Sequence, residues 1–483
     1  MGGYSTHPAI REAWRKARLD EDVMLIARFA SMPAFRRGLL SSLLTVAGSS
    51  ALRDVTALGS GALLSQAILF FAAPAFLRLY QPGDFGLYSF TYASISLIAT
   101  LGTWKIERLI VVVPARATAV RLLAALTAIA AGAAALLLLL ISLAWTIADD
   151  LPAGAPEKLA LMWPAPLSMF ILLATTGMRF YSVRVGRFKA IAIAQASRAM
   201  VFAVGIIATG LLWHESVLHH GALIMISWQV VADACALLVQ LRANRESVRL
   251  LLFRPRIRRS MAVLITHRKM LGVLALSQII SSVNQQIPIS TVMFAFGAVP
   301  AGWYSLAVQF VYAPCAIITS AVSDVANQRL SRLHAQRKPF SHLVLRTTVG
   351  MAIAGIVPFA TIAVLAPALL PLLLGPRWIG ASQSVSVLAV ASYLFFIEAP
   401  AGNVALIVGA RRYMVLWHIG RMASLVGLAA AALLGLIPYA VWLILTVVSD
   451  GFLYLLDVIA EFAFARSAEA KWRQGGTRDA QRG

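Results

Sequence analysis

Apolar residues in this chain gather into runs far longer than a soluble core requires. The stretch from Leu122 to Ile147 carries no charged residue, and a helix needs about 20 apolar residues to cross the hydrocarbon core of a bilayer. The same pattern predicts twelve spans, near 56–78, 86–104, 121–147, 159–179, 188–212, 219–241, 271–295, 300–324, 344–374, 382–409, 413–436 and 439–463. Lipid offers no partner to a backbone N–H or C=O, so a spanning segment is a helix or part of a closed barrel. Runs this long and rich in Ala, Leu and Ile predict helices. The ninth is long enough to tilt or break at Pro358 or Pro367.

The polar positions between the runs alternate in sign. Basic residues fill every second connection. They comprise the arm 1–54, Lys105 to Arg121, Arg179 to Lys189, the segment from Arg242 to Lys269, Arg329 to Arg346, Arg411 to Arg421, and the tail. All but four of the 42 Lys and Arg residues fall in these places. The opposite connections hold Asp84, Asp149, Asp150, Glu157 and Glu215. Basic connections face the cytoplasm, so the pattern predicts both termini inside.

The most basic internal segment divides the chain into a basic N-terminal arm (1–54), a first half (55–241), a linker (242–270), a second half (271–463) and a basic tail (464–483). The halves echo one another. Phe85-Gly86-Leu87-Tyr88-Ser89 opens the second span, and Ala301-Gly302-Trp303-Tyr304-Ser305 opens the eighth; each follows a short turn with Pro82 or Pro300. Transporters are commonly built from two such repeats with the substrate between them. The arm from Arg36 to Arg53 reads as a helix lying in the headgroups or as a short cytoplasmic one.

Composition agrees with the pattern. Hydrophobic residues make up 60% and charged residues 13%, against about 45–50% and about 25% in soluble domains; mean hydropathy is +0.79. A net charge of +22 would suggest nucleic acid in a soluble protein. Here the basic connections account for it, and no nucleic-acid partner is expected. Cys235 and Cys315 lie inside apolar runs and form no metal or redox pattern. The first 35 residues hold five Arg and Lys but no apolar stretch of the kind a cleavable signal needs.

Leu77-Arg78-Leu79-Tyr80-Gln81-Pro82-Gly83-Asp84-Phe85-Gly86 resembles the R-L-Y-x-P-x-D-F-G start of bacterial polysaccharide-unit (O-antigen) flippases. These belong to the multidrug/oligosaccharidyl-lipid/polysaccharide exporter superfamily. Ser282 to Pro288, Phe296-Gly297, Ala301 to Tyr304 and Gly375-Pro376-Arg377-Trp378 are also similar. Trp104-Lys105-Ile106-Glu107-Arg108 departs from the family's Arg-Tyr-Glu by moving the basic residues. His267-Arg268-Lys269-Met270 stands where the family often has a polar stretch. The resemblance spans roughly 55–465. It implies an all-α membrane protein of about 12 transmembrane helices, in two six-helix lobes around a central cavity. It also implies an activity: moving an undecaprenyl-diphosphate-linked oligosaccharide across the bacterial inner membrane by alternating access. The expected partners are the lipid-linked glycan, the bilayer, and a polysaccharide polymerase with its export machinery.

Such a cargo needs a wet cavity, cations for the diphosphate and polar groups for sugar hydroxyls. Charges at membrane depth are costly unless paired or wet. Arg198 lies about ten residues into the fifth span, near the midplane, and its fork suits phosphate oxygens; Asp233 on the sixth span is a structural alternative partner. Arg421 is a second candidate, with snorkelling to the interface as the plainer reading. Arg78 is a third, with an anchoring role against Asp84 as its alternative. Gln278, Ser281, Ser282 and Gln285 share one face of the seventh span, widened by Asn284 and Gln286. Gln309 and Tyr312 lead a similar face on the eighth, and Gln66 is a lone polar group on the first. Interhelical hydrogen bonding is the plain reading of each alone. Asp450, Asp457 and Glu461 share a face of the twelfth span with Tyr454 between them. Asp450 and Asp457, with Glu398 beside Pro400, are candidates for proton or sodium coupling, as is Asp233. Ion-pairing with Arg421 or Arg198 is the plain reading of Glu398. Trp104, Trp303, Trp378 and Trp442 lie near span ends, as an interfacial belt would.

No Walker A loop, metal cluster or nucleophile arrangement is present, so no cofactor and no enzymatic activity are expected. A multidrug or lipid II exporter of the same superfamily is the alternative function. A membrane polysaccharide polymerase or glycosyltransferase fits less well, because the longest outer connection (about 148–158) is too short for an active site.

Overall fold

The computed structural model describes residues 50–103, 105–113, 115–146, 162–246 and 268–480, with side chains from residue 60 onward and, in the last segment, for 279–410 and 412–472. The predicted arm, the linker and Trp104 therefore lie largely or wholly outside the described residues. The chain divides into two compact units, Met1–Leu58 and Gly59–Gly483, and the second contains the helical bundle and its cavity.

The described residues form helices and turns without a strand. In the first half these are α1 (Ser50–Leu79), α2 (Pro82–Thr103), the short α3 (Ile106–Val112), α4 (Arg116–Thr146), α5 (Ala165–Arg184), α6 (Phe188–Leu212) and α7 (His214–Ala243). The second half holds α8 (Arg268–Phe296), α9 (Ala298–Ala307) and α10 (Ala313–Ala335), α9 and α10 being joined by a π turn, Val308–Tyr312. It continues with α11 (Ser341–Leu374), α12 (Ile379–Glu398), α13 (Val404–Val408), α14 (Arg411–Leu433) and α15 (Tyr439–Ala480). Ten segments among the described residues are long and apolar enough to cross a membrane. Helices α5 and α8 lie on the two remaining predicted stretches. The outward faces are apolar: Leu139, Val357, Val364 and Leu372 are all more than 60% exposed. Water would penalise such a surface, and lipid does not.

Two expectations need correction. Helix α11 runs unbroken through Pro358, Pro367 and Pro371. Helix α12, by contrast, stops at Glu398, and Ala399–Asn403 turns into α13 around Pro400. Proline lacks the N–H that continues a helix. Helix α15 continues beyond its predicted end. Its Glu469 accepts the Phe340 and Ser341 N–H groups at 2.6 Å each, and so caps the start of α11. An N-terminal turn has orphan donors, and a carboxylate satisfies them.

The halves meet where the echoed motifs cross. Helix α2 packs on α5 and α7 in its own half, and on α8 and α9 in the other. A Cβ at Gly86 would stand 2.0 Å from the Ala298 carbonyl oxygen; one at Gly302 would stand 1.9 Å from that of Pro82. Backbone therefore touches backbone. Gly297, at φ 93° and ψ −176°, holds the tight α8–α9 turn in a region open only to glycine. Around this crossing lies the largest apolar cluster, with Phe76, Leu77, Tyr80, Phe85, Phe202, Leu306, Leu374 and Trp378. The Trp378 indole donates to the Leu77 carbonyl at 2.9 Å. Trp378 and Trp442 are fully buried, so they are core residues and not part of an interfacial belt.

Overpacking a tight contact costs about 1–3 kcal/mol. Gly302→Ala should therefore lower the thermal unfolding midpoint of the detergent-purified protein. Gly427→Ala, whose Cβ meets nothing within 4 Å, should leave it unchanged.

Candidate functional site

Below the crossing, a cavity of about 900 Å³ opens between the halves. Tyr88 and Tyr304, two residues past the paired glycines, form its upper wall, and Asn403 and Glu461 lie among its lining residues.

Arg198 lines this cavity from α6. Its Nε donates to Asp233 Oδ1 at 2.7 Å, and its Nη2 to the Tyr92 hydroxyl at 2.9 Å. The buried Asp233, behind it on α7, also accepts from Gln229 at 3.1 Å and from Tyr92 at 3.3 Å. Arg198 thus pairs with Asp233, the structural alternative, and also lies on the cavity wall. Arg421 repeats the arrangement. Its Nε and Nη2 donate to the two Asp450 oxygens at 2.9 and 3.1 Å. It lies 5.5 Å from the Tyr454 ring centroid, as Arg198 lies 5.8 Å from that of Tyr92. Arg421 therefore does not snorkel. In each half an Arg on one helix pairs with an Asp on the next membrane helix, against a tyrosine face. Neither Nη1 enters these bonds, and a guanidinium carries five N–H donors.

Glu398 does not pair with either arginine. It lies beside Asp457, and the Tyr413 hydroxyl donates to Asp457 Oδ1 at 2.7 Å. Glu461 accepts the Ala405 N–H at the start of α13. Asp450, Tyr454, Asp457 and Glu461 all line the cavity, as their shared helical face predicts.

Ser281, Gln285, Gln309 and Tyr312 line the wall as well. Ser282 does not, and the Gln278 side chain lies outside the described residues. Asn284 Oδ1 and Ser305 Oγ, on residues that border the cavity, are buried without a protein partner among the described residues. Gln66 and Arg78 are off the cavity. Gln66 Nε2 donates to the Gln309 carbonyl at 3.1 Å. Arg78 donates to the Leu373 and Leu372 carbonyls at 2.7 and 3.0 Å, closing the end of α11 instead of anchoring Asp84. Asp84 takes backbone N–H groups of Gln81 and Ala222. The sequence reading missed Tyr88, Tyr92, Asn403, Tyr413, Trp417 and His418, all on the wall. Tyr88 and Tyr304 stand at matching places in the echoed motifs, and that was the available signal.

A family described as polysaccharide biosynthesis protein matches residues 76–383. No curated protein matches the chain. Among solved structures, the lipid II flippase MurJ in an inward closed conformation is similar at TM-score 0.64 and 11% identity, over 84% of this chain and 89% of that one. A MOP superfamily transporter from Pyrococcus furiosus aligns at TM-score 0.49 and 15% identity, over 86% and 95%. A multidrug resistance MATE family transporter in an inward-facing conformation aligns at 0.45 and 15%, over 85% and 96%.

Removing one partner of a buried ion pair strands the other charge, whereas removing both does not. Asp450→Asn should therefore destabilise the purified protein more than the double variant Arg421→Gln/Asp450→Asn. Thermal unfolding of the two would reverse that order if the pair carried no buried charge.

Proposed function

The chain belongs to the polysaccharide biosynthesis protein family, and from that premise we propose that it is a flippase. Its cargo is an undecaprenyl-diphosphate-linked oligosaccharide, moved across the bacterial inner membrane by alternating access. The supporting observation is the pair of guanidinium groups, Arg198 and Arg421, that face one cavity from opposite halves.

A diphosphate entering hydrocarbon loses its hydration, and only charge-assisted hydrogen bonds replace it adequately. Each arginine is held by an aspartate that neutralises it when the cavity is empty, while its Nη1 stays outside the pair. The substrate thus meets oriented donors without the protein storing a bare cation in the membrane. Gln285 and Gln309 supply amide groups for sugar hydroxyls. The aromatic faces of Tyr312, Trp417 and Tyr454 supply flat surfaces for sugar rings. The isoprenoid chain stays in lipid. In the orientation the basic connections give, the sealed glycine crossing faces outward and the cavity loads from the cytoplasmic side. Release follows when the halves part at the crossing.

Protonation at the Glu398–Asp457 contact supplies a coupling step. While the two carboxyls share a proton, the break between α12 and α13 stays closed against α15. Loss of that proton puts two negative charges in contact, and like charges at that distance repel strongly.

Deleting the gene should abolish surface polysaccharide, with lipid-linked units accumulating on the cytoplasmic side of the membrane. Normal polysaccharide display without a redundant flippase would remove the reading, and accumulation of lipid II instead would favour the alternative cargo. The double variants Arg198→Gln/Asp233→Asn and Arg421→Gln/Asp450→Asn, which strand no charge, should each lower transport by an order of magnitude or more per unit of protein in the membrane. Glu398→Gln should retain transport but lose its response to a collapsed proton gradient; an unaltered response excludes Glu398 from coupling.

A further inference from the structure

The π turn Val308–Tyr312 interrupts the eighth predicted span where it borders the cavity, and Gln309, Tyr312 and Ala313 all line the wall. The cause is in the sequence. Pro314 follows, and a proline ring inside an α-helix clashes with the carbonyl four residues back, here that of Phe310. Widening the helix by one residue relieves this clash. The Ala313 N–H then bonds the Val308 carbonyl. In that register the next donor should serve Gln309, but residue 314 is the proline and has no N–H. The Gln309 carbonyl accepts instead from Gln66 Nε2 on α1, at 3.1 Å. The turn it completes presents the Tyr312 ring to Phe395, stacked at 5.1 Å.

We propose that Gln66 is a positioning residue: it replaces the donor that Pro314 lacks, fixes the π turn, and so sets Tyr312 on the cavity wall. A partly buried carbonyl left without a donor in lipid is costly, and the half-buried Gln66 is placed to prevent it. The bond also joins a helix of the first half to one of the second, so the geometry of the turn depends on how the halves sit. This role belongs to the wall and is the same whatever the cargo.

The test is a double-mutant cycle in the full-length protein in nanodiscs, read by hydrogen–deuterium exchange and, in cells, by transport. Gln66→Leu should raise amide exchange severalfold across Val308–Ala313, leave α12 and α15 unchanged, and lower transport. In a Pro314→Ala background residue 314 regains its N–H, and the Gln309 carbonyl has a backbone donor in either the π or the α register. Gln66→Leu should then have no effect on exchange in the turn. Equal effects in both backgrounds, or none in either, would overturn the proposal. If Gln66→Leu alone fails to accumulate in the membrane, recovery on adding Pro314→Ala supports the proposal, and failure to recover sinks it. Because exchange is read without substrate, a wrong cargo would leave this result standing.

Discussion

Everything in this bundle hangs on a contact between two peptide backbones. Gly86 and Gly302 leave no space for even a methyl group between α2 and α9. In lipid there is little hydrophobic drive to bring helices together, so close packing through small residues carries much of the association. The apolar cluster around Phe85 and Trp378 then fills the volume that the crossing defines. Tyr88 and Tyr304, two residues beyond the glycines, border the cavity, so the crossing and the lumen share the same two helices.

The second constraint is charge. A membrane interior accepts a cation only with a partner or water. The protein meets this twice by the same device, an arginine paired with an aspartate on the next membrane helix and laid against a tyrosine. The pairs make Arg198 and Arg421 tolerable in lipid, and the cavity makes their remaining donors available. Glu398, Asp457 and Glu461 follow another rule. Tyr413 donates to Asp457 and the Ala405 N–H to Glu461, so these acids are held by neutral donors and not by arginine.

Much of this was legible in the sequence, because apolar run length reports directly on lipid. The helix pattern and the shared face of Asp450, Asp457 and Glu461 follow from residue type and spacing, whereas the break at Pro400 fell inside a span read as continuous. What was not legible depends on which helices are neighbours. Arg78 is exposed at the end of its helix and finds carbonyls nearly 300 positions away, a contact no local pattern announces. Trp378 and Trp442 sit near span ends, where tryptophan commonly marks an interface, yet tertiary packing buries them. Tyr88, Tyr92 and Tyr413 were overlooked because an aromatic in an apolar run looks like core. The role of Gln66 depends on a carbonyl of another helix, although Pro314, which creates the need, was in plain view.

A crossing of this kind also acts as a fulcrum. From Gly86 to the far end of α2 is seventeen residues, or about 25 Å of helix at about 1.5 Å per residue. Tilting α2 by about 10° about a fixed Gly86 swings that end through about 4 Å by the same geometry. A small rearrangement at the glycines thus becomes a displacement of several ångströms at the far end of α2. Leverage, more than any large repacking, is how a bundle pinned at one point can be stiff at one end and wide at the other.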